Sequence, residues 1–383
     1  MEKPTVCGVT NDGKLWFLGE SEWLDVKALG AGDPGLFVSI GSADAFNEAD
    51  PFNETSGDLH ICGVTQDGRL WHTVGYMDKW EPFEGVNSRV EDDWGTFKDI
   101  GVANVDGELH VCVTAPTQLA GWRILHTIRH GDGTQDSFQD VTDPGLAGFP
   151  GSFISVACAE LNKELHVCGV TDDGKLWHTV RSSQNDWLPF EEVQTTFAND
   201  PVPFTGVSIA AEDDTLEIFA KAGGDLWHTA RFLQPPAWQP VFDSLKAQAG
   251  DDPGSFVSVS CAAAGDNDAQ LHVYGATGDG KLWNTFRFLD LPLWFSFEDV
   301  TAEIASPGFF ISVSAANIPI SFVEAKSTRC QTFRDQLNQA CSELKRPAIT
   351  SLRRDSLKGK IQQLLQHWPE NCNQPDVSPD CLS

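Results

Sequence analysis

The chain has 383 residues and a formal net charge of −29 at pH 7, with 55 acidic against 26 basic side chains. This balance opposes nucleic-acid binding and polybasic anchoring to anionic membranes, both of which rest on clustered Lys and Arg. No apolar run reaches the roughly 18 residues that span a bilayer, and the start MEKPTVCGVT lacks the basic, apolar and small-residue order of a signal peptide, so no membrane insertion is expected.

In chain order, one word recurs. It reads TVCGVTNDGKLWFLG at 5–19, LHICGVTQDGRLWHTVG at 59–75, LHVCVTAPTQLAGWRILHTIR at 109–129, LHVCGVTDDGKLWHTVR at 165–181, LEIFAKAGGDLWHTAR at 216–231 and LHVYGATGDGKLWNTFR at 271–287. Aligned on Trp16, Trp71, Leu125, Trp177, Trp227 and Trp283, the steps are 55, 54, 52, 50 and 56 residues. Each copy holds two strand-like segments, B and C, and is followed by an aromatic-led segment D such as WEPFEGV (80–86), WLPFEEV (187–193) or WFSFEDV (294–300). The last five copies are preceded by a segment A such as LFVSIGS (36–42) or SFISVACA (152–159). Four short β-segments in a unit of this length, divided by Gly, Pro and Asp turn signals, are the pattern of a β-propeller blade.

The first unit lacks its A segment, while an unclaimed one, GFFISVSAA (308–316), follows the sixth. Moving that strand into the first blade closes the ring. The expected fold is all-β, a six-bladed propeller of four-stranded blades over residues 1–325 closed by a C-terminal A strand. Asp-Gly pairs at 12–13, 67–68, 173–174 and 279–280 mark the B–C hairpins, either as two-residue type I′ loops or as a type I turn with a Gly bulge.

Eight of the ten histidines occupy two repeat positions: His60, His110, His166 and His272 on strand B, and His72, His126, His178 and His228 on strand C. With Cys168 they suggest zinc ligation, yet a reactive centre has no need to be copied from blade to blade. The repetition favours buried polar rings hydrogen-bonded between blades, with no metal and no cofactor. Cys7, Cys62, Cys112 and Cys168 share a B position that becomes Phe219 and Tyr274, which marks an apolar slot. The TDDGKLW word differs from the aspartate box of sialidases, in which one residue separates Asp from Gly. A glycoside hydrolase also needs two dedicated carboxylates, so catalysis is not expected.

Strand C ends in Arg129, Arg181, Arg231 and Arg287, and D opens with Trp80, Trp187, Trp238 and Trp294, with Trp23 in the first unit and Phe138 in the third. D is the outermost strand of a blade, so its aromatic is expected to be partly exposed. An indole face packs on the C–H face of a sugar and a guanidinium offers forked donors to hydroxyls. Units four to six keep both residues, which nominates Arg181, Trp187, Arg231, Trp238, Arg287 and Trp294 as glycan-binding residues. The competing role for each Trp is to cap the apolar seam between blades.

The words GKLWHTVR, WLPFEEV and GSFISVA at about 50-residue spacing resemble those of the bacterial propeller lectins of the Photorhabdus type and, more loosely, tectonin-like repeat proteins. The resemblance covers about residues 1–325 and implies glycan binding at several equivalent sites without metal or catalysis. Those bacterial lectins tend to have seven blades and lack a cysteine-bearing tail. A propeller that binds a protein is the alternative, and a sialidase-like hydrolase a more distant one.

Residues 326–383 differ in kind. They hold nine Lys plus Arg and six Asp plus Glu, a net of +3, leaving −32 for the propeller, so the tail is suited to dock on its own acidic body. Cys330, Phe333, Leu337, Cys341 and Leu344 form the stripe of one helix that Pro347 ends, and Ser351 to Trp368 fits a second, giving a small α-helical hairpin. Cys330 and Cys341 would lie about 16 Å apart along one helix. An antiparallel return then favours Cys330 with Cys372 and Cys341 with Cys381. Such bonds would imply an oxidising, extracellular setting. The hairpin is expected to cap the propeller or to join copies into a homo-oligomer. The sequon Asn53-Glu54-Thr55 matters only for a glycosylated, exported chain.

Overall fold

The structure, a computed structural model, describes residues 4–19, 22–45, 58–76, 79–86, 94–117, 121–193, 201, 203–264, 269–304, 306–316, 328–345 and 351–366. Six antiparallel sheets form from the six repeats, each in the order A, B, C, D. Blade 4 shows the plan, with A at Phe153–Leu161, B at Glu164–Thr171, C at Leu176–Arg181 and a short D at Glu191–Glu192. The six A strands touch their neighbours in a closed cycle and line one axial channel. This is the six-bladed propeller expected from the repeat.

Closure occurs as the displaced A segment requires. Phe310–Ala316 pairs antiparallel with Thr5–Thr10, Cys7 facing Ser314, so blade 1 is built from both ends of the propeller sequence. The Asp-Gly turns resolve to the Gly-bulge form: Gly174 N–H donates to Thr171 O (2.8 Å), Thr171 N–H donates to Lys175 O (2.9 Å), and Gly174, not Asp173, has positive φ. This turn sets Cys168 opposite His178.

A second glycine position explains the repeated CGVT. A Cβ on Gly8, Gly63, Gly169 or Gly275 would come within 2.7 Å of the A-strand ring at Phe310, Phe37, Phe153 or Phe256. Each phenylalanine therefore lies on bare backbone, the close approach for which a strand keeps glycine. In blades 2 to 6 the same ring meets a D-segment phenylalanine: Phe37–Phe83, Phe97–Phe138, Phe153–Phe190, Phe204–Phe242 and Phe256–Phe297. This corrects one alignment. Phe138 is the counterpart of Phe190, and the residue of blade 3 that faces the strand-C arginine, as Trp187 faces Arg181, is Gln135.

Thr328–Leu344 and Ser351–Gln366 form the tail helices. Leu337, Ala340, Leu344, Leu357, Ile361 and Leu364 bury against Phe286, Phe288, Leu293 and Phe295 of blade 6. Lys360 Nζ reaches Ala249 O (2.9 Å) and Ser296 Oγ (2.6 Å), so the hairpin sits against the outer part of blade 6. Cys341 is disulfide-bonded; Cys372, Cys381 and the side chain of Cys330, and with them the expected pairing, lie outside the described residues, as do the sequon and Trp368. Among the described residues no helix is long and apolar enough to cross a membrane.

Candidate functional site

The repeated histidines bond within blades, across strands B and C, and not between blades as their repetition had suggested. His60 Nδ1 meets His72 Nε2 at 2.8 Å, His110 Nδ1 meets His126 Nε2 at 3.0 Å and His166 Nδ1 meets His178 Nε2 at 3.0 Å. Burial holds them neutral, with His60 and His110 pushed down to about 4 and His166 to about 3. In blade 4 the tautomers follow by elimination. His178 Nδ1 lies 3.0 Å from the Glu191 carboxylate, which can only accept, so Nδ1 carries the proton, Nε2 accepts, and His166 Nδ1–H donates. Neighbouring blades meet through these pairs: Trp187 of blade 4 sets its ring edge-on to His126 of blade 3, and Trp238 of blade 5 does the same to His178 of blade 4.

The six propeller cysteines Cys7, Cys62, Cys112, Cys158, Cys168 and Cys261 are free and buried. Burial pushes the Cys62 and Cys261 thiols up to about 12, which makes them packing groups and not nucleophiles. Among the described residues no group of three His, Cys, Asp or Glu is placed to hold a metal ion.

The D-segment tryptophans are less exposed than an outermost strand suggests. Trp187 is 7% and Trp294 3% exposed, while Trp238 is partly exposed. The reason is that D begins as the chain folds back over strand C, which lays the indole into the groove against the preceding blade. Each Trp thus helps to seal a seam. The strand-C arginines enter the same seams from the same blade, and here the four copies diverge.

In the seam between blades 4 and 5, Arg231 lies over the Trp238 ring, 5.8 Å from its centre, and its Nε is 3.5 Å from Glu191 of blade 4. Glu191 also accepts from His178 and from the Trp238 indole. The His178 bond is the largest of the effects that hold its carboxyl below the usual range. The Glu191 side chain is still 48% exposed and that of Arg231 21%. A charged acceptor, a forked donor and an aromatic surface converge on one groove open to solvent.

The other seams depart from this arrangement. Between blades 2 and 3, Arg129 meets Glu84 at 3.2 Å, but the tryptophan is replaced by Gln135. Between blades 3 and 4, Arg181 and Trp187 are present but the acid position holds Gln139, whose Oε1 accepts from Trp187 Nε1 at 2.9 Å. Between blades 5 and 6, Arg287 lies over Trp294 but turns inward to Glu217, at 2.6 Å. Glu217 stands where other blades carry the strand-B histidine and also bonds His228. Arg287 and Glu217 are only 15% and 5% exposed. Blades 1 and 2 have Gly19 and Gly75 in place of the arginine.

Of the six residues nominated from sequence, the structure thus brings each Arg together with its Trp but in three different settings. The acid was missed. Glu84 and Glu191 are visible in the sequence as the fourth position after the D tryptophan, in WEPFE and WLPFE, a carboxylate repeated next to a partly buried phenylalanine.

The channel carries a second set of ionisable groups. Its mouths measure about 400 and 260 Å³, with a constriction of about 70 Å³ between them. Asp99, at the narrower mouth, accepts from Ser39 Oγ of blade 2 (2.7 Å) and Val156 N–H of blade 4 (3.0 Å), and so clamps three A strands. At the wider mouth Asp106 pairs with Lys163 and Glu160 accepts from the Lys163 N–H. These carboxylates serve internal contacts.

No family model matches the chain, and no curated protein matches it significantly. Solved structures do. Aleuria aurantia lectin bound to Fucα1-6GlcNAc aligns over 83% of this chain and 93% of its own, at 12% identity and a TM-score of 0.53. A triple arginine-to-alanine mutant of AofleA from Arthrobotrys oligospora aligns over 84% and 91%, at 10% identity and 0.51. The chain has the fold of these proteins. A further structure of the Aleuria aurantia lectin, described as a six-bladed β-propeller with a novel fucose recognition mode, aligns over 84% and 98%, at 12% identity and a TM-score of 0.50. The blade count therefore agrees with that of the six-bladed Aleuria lectin and not with the seven of the Photorhabdus type.

Proposed function

We propose that the protein is a multivalent, non-catalytic carbohydrate-binding propeller whose ligands enter the grooves between blades. The observation that carries this reading is the Arg231, Glu191 and Trp238 constellation between blades 4 and 5. A carboxylate accepts from vicinal hydroxyls, a guanidinium donates to ring or hydroxyl oxygens, and an indole packs on the apolar face of a sugar. The fucose ligand named for the Aleuria lectin fits this set, because a 6-deoxyhexose offers a methyl group beside its hydroxyls. Fucosylated glycans are the favoured ligand class. Arg181 with Trp187 lines a second groove that lacks this acid, with Gln139 in its place, whereas Arg287 with Trp294 is turned to an internal acid. Several grooves on one rigid ring bind clustered glycans with avidity where the geometry lets them engage together.

Titration of α-methyl-L-fucoside by calorimetry tests the reading. Binding that Arg231→Ala or Glu191→Gln weakens at least tenfold, with unchanged thermal stability, supports it. No detectable binding to the fucoside or to a glycan array, or binding indifferent to both substitutions, overturns it in favour of a propeller that binds a protein.

A further inference from the structure

Resting on the glycan reading, we propose that the seam between blades 3 and 4 is specific for a carboxylate-bearing sugar, held by Arg181. Three of the four strand-C arginines direct their charge to a carboxylate of the preceding blade: Arg129 to Glu84, Arg231 to Glu191 and Arg287 to Glu217. Arg181 has no ion pair among the described residues, because the acid position of blade 3 holds Gln139. The amide oxygen of Gln139 is itself taken by Trp187 Nε1 at 2.9 Å.

The carboxylates whose charge acts on Arg181 are Glu108 and Asp136 of blade 3. Both are bound to the two ring nitrogens of His130, at 2.7 and 3.1 Å. Those bonds raise the pKa of His130, so one imidazolium takes up one oxygen of each carboxylate, and the two acids act on Arg181 through the field alone, without an ion pair. The arginine keeps its charge against burial, which lowers its pKa, and its Nε is buried without a hydrogen-bond partner among the described residues. That Nε is closed to solvent, as are the unpartnered Nε atoms of Arg123 and Arg287, so an incoming ligand meets the outer part of the Arg181 guanidinium.

A planar carboxylate supplied by a sugar is the complement of that fork. It takes the place that Glu84 and Glu191 occupy in the neighbouring seams. The same ligand is disfavoured between blades 4 and 5, where its charge meets Glu191, and a neutral sugar between blades 3 and 4 lacks the acceptor that Glu191 provides. Substitution of one acid by its amide in one repeat thus divides the ring into a neutral-sugar groove and an acidic-sugar groove.

The test titrates the full chain with the methyl α-glycoside of N-acetylneuraminic acid and with methyl β-D-glucuronide, each against its carboxamide, and with α-methyl-L-fucoside in parallel. At least one acid is expected to bind tenfold or more tightly than its carboxamide. That preference should vanish in Arg181→Gln and in Gln139→Glu, the latter placing in blade 3 the acid that blades 2 and 4 possess, and should persist in Arg231→Ala. Thermal melts confirm that each variant folds. Acids that bind no better than carboxamides, or a preference that survives Gln139→Glu and is lost in Arg231→Ala, overturn the proposal. If the fucoside binds through Arg231 while neither acid binds, the acidic groove is refuted and the glycan reading stands. If nothing binds, both fall.

Discussion

The seams on either side of blade 5 are made from the same residue types and do opposite things. Each has an arginine lying over a tryptophan and reaching a glutamate of the preceding blade. Between blades 4 and 5 the glutamate comes from strand D, at the rim, and remains half exposed. Between blades 5 and 6 it comes from strand B, deep in the sheet, where Glu217 replaces a histidine and is nearly inaccessible. Depth converts one set of groups from a groove into a bolt. Desolvated charges are held hard by their partners, whereas half-solvated ones exchange readily with incoming hydroxyls.

The largest expected effect breaks the bolt. Arg287→Ala leaves Glu217 buried without its guanidinium, and loss of one partner of a buried pair costs about 3–5 kcal/mol. Arg231→Ala removes an exposed-side pair worth under ~1 kcal/mol. Chemical denaturation of the two variants in parallel should show a large shift for the first and almost none for the second. Equal shifts would mean that the seams are energetically alike.

Next comes ligand binding, where the order reverses. Arg231→Ala should weaken fucoside affinity at least tenfold, about 1.4 kcal/mol, while the double variant Glu217→Gln, Arg287→Met, which removes both buried charges together, should bind as the unmodified protein does. Calorimetry on both distinguishes a groove at one seam from a diffuse effect on the ring.

Acid should then separate the blades. His60, His110 and His166 have folded-state pKa values lowered to about 4, 4 and 3 from 6.5. Their neutral forms contribute stability that is complete above about pH 6.5 and is lost as pH falls through the window down to about 3–4. Melting temperature is expected to be flat from pH 7 to 8 and to fall below 6.5, and His166→Gln should flatten the slope. Melting temperatures that are constant from pH 7 to 4.5 would remove the neutral-pair account.

The smallest effect sharpens the comparison by construction. Between blades 2 and 3, Arg129 and Glu84 are in place and Gln135 stands where the tryptophan belongs. Gln135→Trp should add one weak fucoside site, read as a rise of one in calorimetric stoichiometry with melting temperature held.

Much of this architecture is legible in the chain. Six copies of the B–C word, the orphan A segment at 308–316 and the Asp-Gly turns specify six blades and their closure, since each depends on residues adjacent in sequence or on the repeat period. Local order within a blade was read less well. Phe138 stands first among the aromatics of the third D segment because blade 3 lacks a tryptophan there, yet its contact with Phe97 places it in the phenylalanine stack. Repetition of the histidines points to contacts between blades, whereas the Gly bulge places strand C's ring against strand B's within one sheet.

By itself the sequence determined the wheel: a repeat that cannot bury its faces alone must stack on its own copies, and a missing strand at one end with a spare at the other leaves one way to close. Only the tertiary structure decided which seams are open. An arginine's partner comes from the preceding blade, and whether that partner is rim Glu191, buried Glu217 or neutral Gln139 depends on depth and direction across an interface that no single repeat contains.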